Sequence, residues 1–152
     1  MITALNLRDC TYVLANLREA DRAELRGTYG DATGLDVAAI CLSTPWAYQI
    51  KLQSVPVAIF GATPISATTV SAWAVGTGRF TRAVPALTRF INGPLAHDLR
   101  SHGFRWAEAR SIATHEAAHR WLKGLGASSL ATLSGYGPGG EDFILFRRAL
   151  TV

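Results

Sequence analysis

Apolar residues along this chain fall into two periods, and each change of period marks an element. Ile2–Leu7 alternates as a short strand does. Val13, Leu14 and Leu17 then lie on one face of a helix that Asp9 can cap. Asp21 followed by Glu24 has the spacing of a capping box and starts a second short helix. Gly27, Gly30 and Gly34 loosen the chain before Asp36. Asp36 can cap a third helix over Val37–Leu42, which ends near Pro45.

The middle of the chain reads as strands. Trp46–Leu52 and Val57–Ala62 flank Gln53-Ser54-Val55-Pro56, the pattern of an antiparallel hairpin. Thr69–Val75 is rich in β-branched and aromatic residues and predicts a buried strand that ends at Gly76-Thr77-Gly78. From Arg82 to His102 the period becomes helical, with Leu87, Phe90, Ile91, Leu95 and Leu99 on one stripe. Pro85 suits the first turn of that helix, and Pro94 after Gly93 should kink or split it. Arg105–Ile112 is a further strand. Thr114 caps a helix to Lys123, and Gly126 stops it. Ser128–Leu133 and Phe143–Leu150 close the chain as two strands joined by a turn-rich loop, Gly135–Asp142. The order predicts one α+β domain over residues 1–152, a largely antiparallel twisted sheet of about seven strands with helices on both faces.

Composition narrows the class. The chain has 152 residues, 49% of them hydrophobic, enough for one sizeable core. Only 17% are charged, against about 25% in a typical soluble protein, which leaves surface for partners. The net charge of +4 is uneven. Residues 1–75 hold five Lys/Arg and six Asp/Glu (−1), whereas residues 76–152 hold ten and five (+5). A basic half can meet a phosphate or a nucleic acid, or can be a solvated face. Cys10 and Cys41 show no metal-type spacing and read as buried thiols of a reducing compartment. The start, MITALNLRDC, lacks a signal-peptide pattern, and no apolar run approaches the ~20 residues of a membrane span. The expectation is a cytosolic protein without membrane contact.

The segment His115-Glu-Ala-Ala-His-Arg-Trp-Leu-Lys-Gly-Leu-Gly-Ala127 spans the last predicted helix and its stop. With the element order, it resembles the GNAT (Gcn5-related N-acetyltransferase) family. There an Asn opens this helix, an Ala packs in its middle, and aromatic-Tyr-x-x-Leu-Gly closes it. Ala118, Trp121, Leu125 and Gly126 fall on matching positions. A narrower likeness is to the small GNAT-like proteins of tailed phages, such as internal virion protein A of T7-like phages. It is carried by His119–Ala127 and by Asn16–Leu25.

The resemblance implies an acetyl-CoA site, and three departures bear on it. Family members cradle the pyrophosphate with Arg/Gln-x-x-Gly-x-Gly/Ala at the start of a helix, using backbone N–H groups and the positive helix end. Here Gly76, Gly78, Arg79 and Arg82 are present at a different spacing, and Pro85 removes one N–H. Gly-Thr-Gly is also simply a good turn. Leu122 stands where many members carry a Tyr that protonates the leaving thiolate, and His115 replaces the Asn.

Transfer to an amine needs a base, and the residues available are Glu108, His115, His119 and the helix-end pair His97 and His102. Glu108 alternates with Ala107 and Ala109, so it faces a cleft or pairs with Arg110 or Arg105 on a surface. His119 is a base or a hydrogen-bonded packing residue. Tyr136 replaces the missing acid if its loop folds over the cleft, and is otherwise a hairpin tip. No two histidines and a carboxylate fall at metal-site spacing, so no metal is predicted. Trp46, Trp73, Trp106 and Trp121 read as core. Arg79-Phe80-Thr81-Arg82 is the one basic–aromatic stretch suited to nucleic acid.

Two functions fit. One is a phage protein associated with the virion or its assembly, with a degenerate acetyl-CoA site, in contact with other virion proteins or itself. It would reside in the host cytoplasm and in the particle. The other is an acetyl-CoA-dependent N-acyltransferase acting on an amine.

Overall fold

In the computed structural model, which describes residues 1–30 and 34–150, the expected strands assemble into one sheet. The chain runs β1 (Ile2–Ala4), α1 (Leu7–Ala15), α2 (Glu19–Tyr29), α3 (Gly34–Leu42), β2 (Trp46–Leu52), β3 (Val55–Pro64) and β4 (Thr69–Gly76). It continues with α4 (Phe80–Phe90), a π-helical turn (Ile91–Leu95), α5 (Ala96–Ser101), β5 (Trp106–Ile112), α6 (Glu116–Gly124), β6 (Ser128–Leu133) and β7 (Phe143–Ala149). The sheet order is β1-β2-β3-β4-β5-β7-β6. Neighbours are antiparallel except β4 and β5, which are parallel. This is the expected α+β architecture.

The apolar run of β3 is buried on both faces because helices cover both. On one side Ile59 and Val75 pack against Cys10 and Val13 of α1 and Val37, Ala38 and Cys41 of α3. On the other, Ala58, Phe60 and Val70 meet Phe80, Ala83 and Leu87 of α4 and Leu99 of α5. The two thiols meet inside the first cluster, where the Cys10 sulfur and burial push the Cys41 thiol up from its ordinary value. Among the described residues no helix is long and apolar enough to cross a membrane.

Local signals placed several boundaries a few residues away. Asn6, not Asp9, caps α1: its Oδ1 accepts the Asp9 N–H at 2.9 Å. Asp9 instead lies buried among Asn6, Gln49 and Lys51. Strand β3 begins at Val55, so the hairpin turn is Gln53-Ser54 alone, with φ of 52° and 66°. Both residues sit in the left-handed region that Asn-Gly fills at least cost. The double change Gln53→Asn, Ser54→Gly is therefore expected to stabilise by about 1 kcal/mol and raise the melting temperature by roughly 3 °C in a calorimetric scan.

The long helix splits where Pro94 sits, as expected. The Ala96 N–H reaches back to the Ile91 carbonyl, five residues earlier, across the π-turn. Pro85 is placed differently. Helix α4 starts at Phe80, which leaves Pro85 in its interior rather than its first turn. Its missing N–H is lost to the helix ladder and not to a phosphate cradle. Helix α6 starts at Glu116 with His115 in the cap position, not Thr114, and the His115 side chain makes no cap hydrogen bond but meets Glu24.

Candidate functional site

Parallel pairing between β4 and β5 lasts three residues, Thr69–Ser71 against Trp106–Glu108. The strands then part, and a wedge opens toward Gly76 and Ile112. Strand alternation turns the Gly76 and Ala74 N–H groups of β4, and the Ile112 and Arg110 N–H groups of β5, into this wedge. Such a gap between parallel strands offers unpaired edges to a third extended group.

Helix α2 reaches across the mouth. The Asp21 carboxylate accepts the Gly76 N–H at 2.7 Å and the Arg18 Nε–H at 2.8 Å, and the residue is only 1% exposed. One turn on, Glu24 accepts the Ile112 N–H at 3.1 Å with Oε1 and meets His115 Nδ1 at 2.9 Å with Oε2. The Arg18 N–H donates to the Gly76 carbonyl at 3.0 Å, and Leu17 and Thr77 form a single antiparallel bridge. The Arg18 guanidinium also lies 4.1 Å from the Phe80 ring centroid. The α2 segment thus occupies both backbone groups of Gly76 that face the wedge.

Asp21 and Glu24 had the spacing of a local capping box, but α2 already begins at Glu19. They point the same way because residues three apart share a helix face. That shared face was the only sequence sign of this pair. Asp21, Glu24 and His115 offer donor atoms within 4.8 Å of one another, a grouping that spacing along the chain did not predict. The contacts they make are those of a hydrogen-bonded latch: backbone N–H groups, Arg18 and each other.

The phosphate-loop candidates sit beside the mouth. Thr77, Gly78 and Arg79 alone join β4 to α4. Thr77 N–H donates to the Val57 carbonyl at 2.9 Å, Arg79 N–H to Thr77 Oγ1 at 3.2 Å, and Phe80 N–H to the Thr77 carbonyl at 3.0 Å. The Thr77 N–H is therefore spent on β3, and the Arg79 and Phe80 N–H groups on Thr77 itself. Gly76 is a packing glycine: a Cβ there would come within 2.8 Å of the Val57 carbonyl and strike the Phe80 ring. A Cβ on Gly78 meets nothing within 4 Å. Arg82 is exposed and Arg79 half-buried, and among the described residues neither forms an ion pair.

Glu108 and His119 are otherwise engaged. Glu108 lies 3.6 Å from Arg110 and 3.8 Å from Arg147, so its partner beyond Arg110 is Arg147 rather than Arg105. His119 Nε2 sits 3.1 Å from the Ile112 carbonyl, and its ring packs on Phe146. His97 and His102 are exposed on α5 and just past its end. Tyr136 lies against Phe143 on β7, the neighbour of β5 on the side away from β4.

The tryptophans are anchored. Trp46 Nε1 donates to Asp98, Trp121 Nε1 donates to Thr88, and Trp106 lies under the Arg147 guanidinium. Phe80 is buried, which removes the aromatic member of the one basic–aromatic stretch.

No protein-family model and no curated protein sequence matches this chain. Solved structures do. Ard1 from Thermoplasma volcanium superposes with a TM-score of 0.77 at 15% identity, over 100% of this chain and 98% of that one. The fold is that of the GNAT N-acetyltransferases. An N-acetyltransferase from Staphylococcus aureus Mu50 matches at TM-score 0.75 and 14% identity, over 99% and 98% of the two chains. The structure of yncA from Salmonella typhimurium, solved with its cofactor acetyl-CoA, matches at 0.70 and 12%, over 99% and 94%. Identities this low carry the GNAT fold and leave the chemistry to the residues of this chain.

Proposed function

We propose that this GNAT-fold protein has a cofactor slot closed by its own second helix and serves as a structural component of a phage particle or its precursor. The observation that carries the reading is the pair Asp21 and Glu24, which take the Gly76 and Ile112 N–H groups at the mouth of the wedge. A pantetheine arm pairs through amides, and it would have to displace two carboxylates and the Arg18 N–H from those edges. The short Thr77–Arg79 loop, with its Thr77 and Arg79 N–H groups taken, supports the same reading, as does Leu122 in place of a thiol-protonating tyrosine. The likeness of His119–Ala127 and Asn16–Leu25 to phage proteins supplies the setting: host cytoplasm, then virion, with other virion proteins or a second copy as partner.

A second reading, acetyl transfer to an amine, is favoured by the wedge itself. It is also favoured by the start of α4, which has no acidic residue in its first turn and carries Arg79 and Arg82 nearby. There the phosphates of acetyl-CoA would meet Gly78, Arg79 and Arg82. The amine would attack the thioester carbonyl, forming C–N and breaking C–S, with the CoA thiolate leaving to solvent. Its proton would pass to Glu24 or His115.

Calorimetric titration with acetyl-CoA separates the two. The expected result is no detectable heat of binding, together with recovery of the protein in fixed stoichiometry from purified particles. Micromolar affinity, about −8 kcal/mol, would overturn the closed-slot reading in favour of the transferase. Complete absence from particles would overturn the virion assignment.

A further inference from the structure

A second cavity lies away from the wedge mouth, on the face of the sheet covered by α5 and α6. It has a volume of about 70 Å³ and lies over β4, β5 and β7 where β4 and β5 are still paired. Alanines make the space. Ala72, Ala107 and Ala109 floor it from the sheet, Ala96 faces it from α5, and Ala127 closes one side. Larger side chains at those positions would fill the gap between helices and sheet. The π-turn contributes as well, because it sets the phase at which α5 presents Ala96 and Leu99.

The lining is apolar except for Glu108 and Arg148. Glu108 is committed to Arg110 and Arg147. Arg148 is not committed to any acid. Its Nη1 donates to Asn92 Oδ1 on the π-turn at 2.6 Å, and among the described residues it forms no ion pair. Burial, and to a lesser degree the charge of Arg100, lowers Arg148 from its ordinary value, so a partly buried guanidinium without a carboxylate partner stands at the cavity. A carboxylate at this edge of the cavity would pair with the Arg148 fork.

We propose that this cavity binds an aliphatic carboxylate, its chain lying among the alanines and its headgroup on Arg148. Water is a poor occupant, because a buried water needs two to four polar partners and this lining offers few. At roughly 10–15 Å³ for each water-sized group, the cavity holds about five such groups, the length of a hexanoate chain. The site does not depend on whether acetyl-CoA enters the wedge, so its failure and the failure of the closed-slot reading are separate results.

The test is a titration of the whole protein with sodium hexanoate and, in parallel, with hexanol, followed by calorimetry and by amide chemical shifts. Saturable hexanoate binding with Kd of about 1 mM or tighter is expected, with shifts at Ala96, Ala107 and Ala127. Arg148→Gln should weaken hexanoate about tenfold and leave hexanol unchanged, since only the charged pair is lost. Ala96→Leu should abolish both by filling the space. If that variant folds poorly, Arg148→Gln on the rim still decides the matter. No saturable binding, or hexanoate binding indifferent to Arg148→Gln, would overturn the proposal.

Discussion

Asp21→Ala is expected to destabilise the protein by about 3 kcal/mol and lower its melting temperature by roughly 6–12 °C. Asp21 is 1% exposed and accepts from two donors on different elements. Removing it orphans the Gly76 N–H, which costs about 1–3 kcal/mol when buried. It also leaves Arg18 without its partner. That loss is smaller than for a fully buried pair, because the Arg18 side chain is 24% exposed and water screens it. Asp21→Asn retains an acceptor for Gly76 and should lose less. Circular-dichroism melts of the two variants measure both effects. A loss below about 1 kcal/mol for Asp21→Ala would mean that water replaces the carboxylate, and a wet mouth would not be a closed one.

Gly76→Ala should be comparably damaging, at about 3 kcal/mol, while Gly78→Ala stays within about 0.5 kcal/mol. The two glycines are two residues apart and have opposite surroundings. A methyl on Gly76 would meet the Val57 carbonyl at 2.8 Å and the ring of Phe80, which is held in the core against Trp121. Neither backbone nor ring can yield without moving the start of α4. A methyl on Gly78 points into open space. Urea denaturation of both variants gives the comparison directly. Equal losses would show that the turn itself, rather than the packing of Phe80, requires glycine. A Gly78→Ala variant that keeps its stability yet loses acetyl-CoA binding would instead assign Gly78 to a phosphate cradle.

Asp21 and Gly76 also mark where local reading of this chain stops. Residues 21 and 24 satisfy a capping-box spacing, and only the actual start of α2 at Glu19 shows that they do other work. Their partners lie far along the chain: Asp21 to Gly76 spans 55 residues, Glu24 to Ile112 spans 88, and Glu24 to His115 spans 91. No spacing rule reaches that distance. Gly76 passed as a phosphate-loop glycine for a similar reason, since a close ring contact leaves no trace in composition. Glu108, His119 and Tyr136 were residue types able to act as acid or base. Glu108 meets Arg147 across the β5–β7 register as well as Arg110 on its own strand, His119 meets the Ile112 carbonyl, and the Tyr136 ring packs on Phe143.

Apolar period, proline and glycine placement, and element order determined the α+β class, the β2–β3 hairpin, the break at Pro94 and the helix stop near Gly126. These are short-range properties, because side-chain direction repeats every 2 or 3.6 residues and backbone limits act on neighbours. Tertiary structure alone decided that β4 and β5 pair for three residues and then part. It alone brought α2 to the mouth of that wedge and left an alanine-lined cavity beneath α5. The reason is that strand register and cavity volume are set by elements packing together from distant parts of the chain, where each side chain's partner is chosen by position in space.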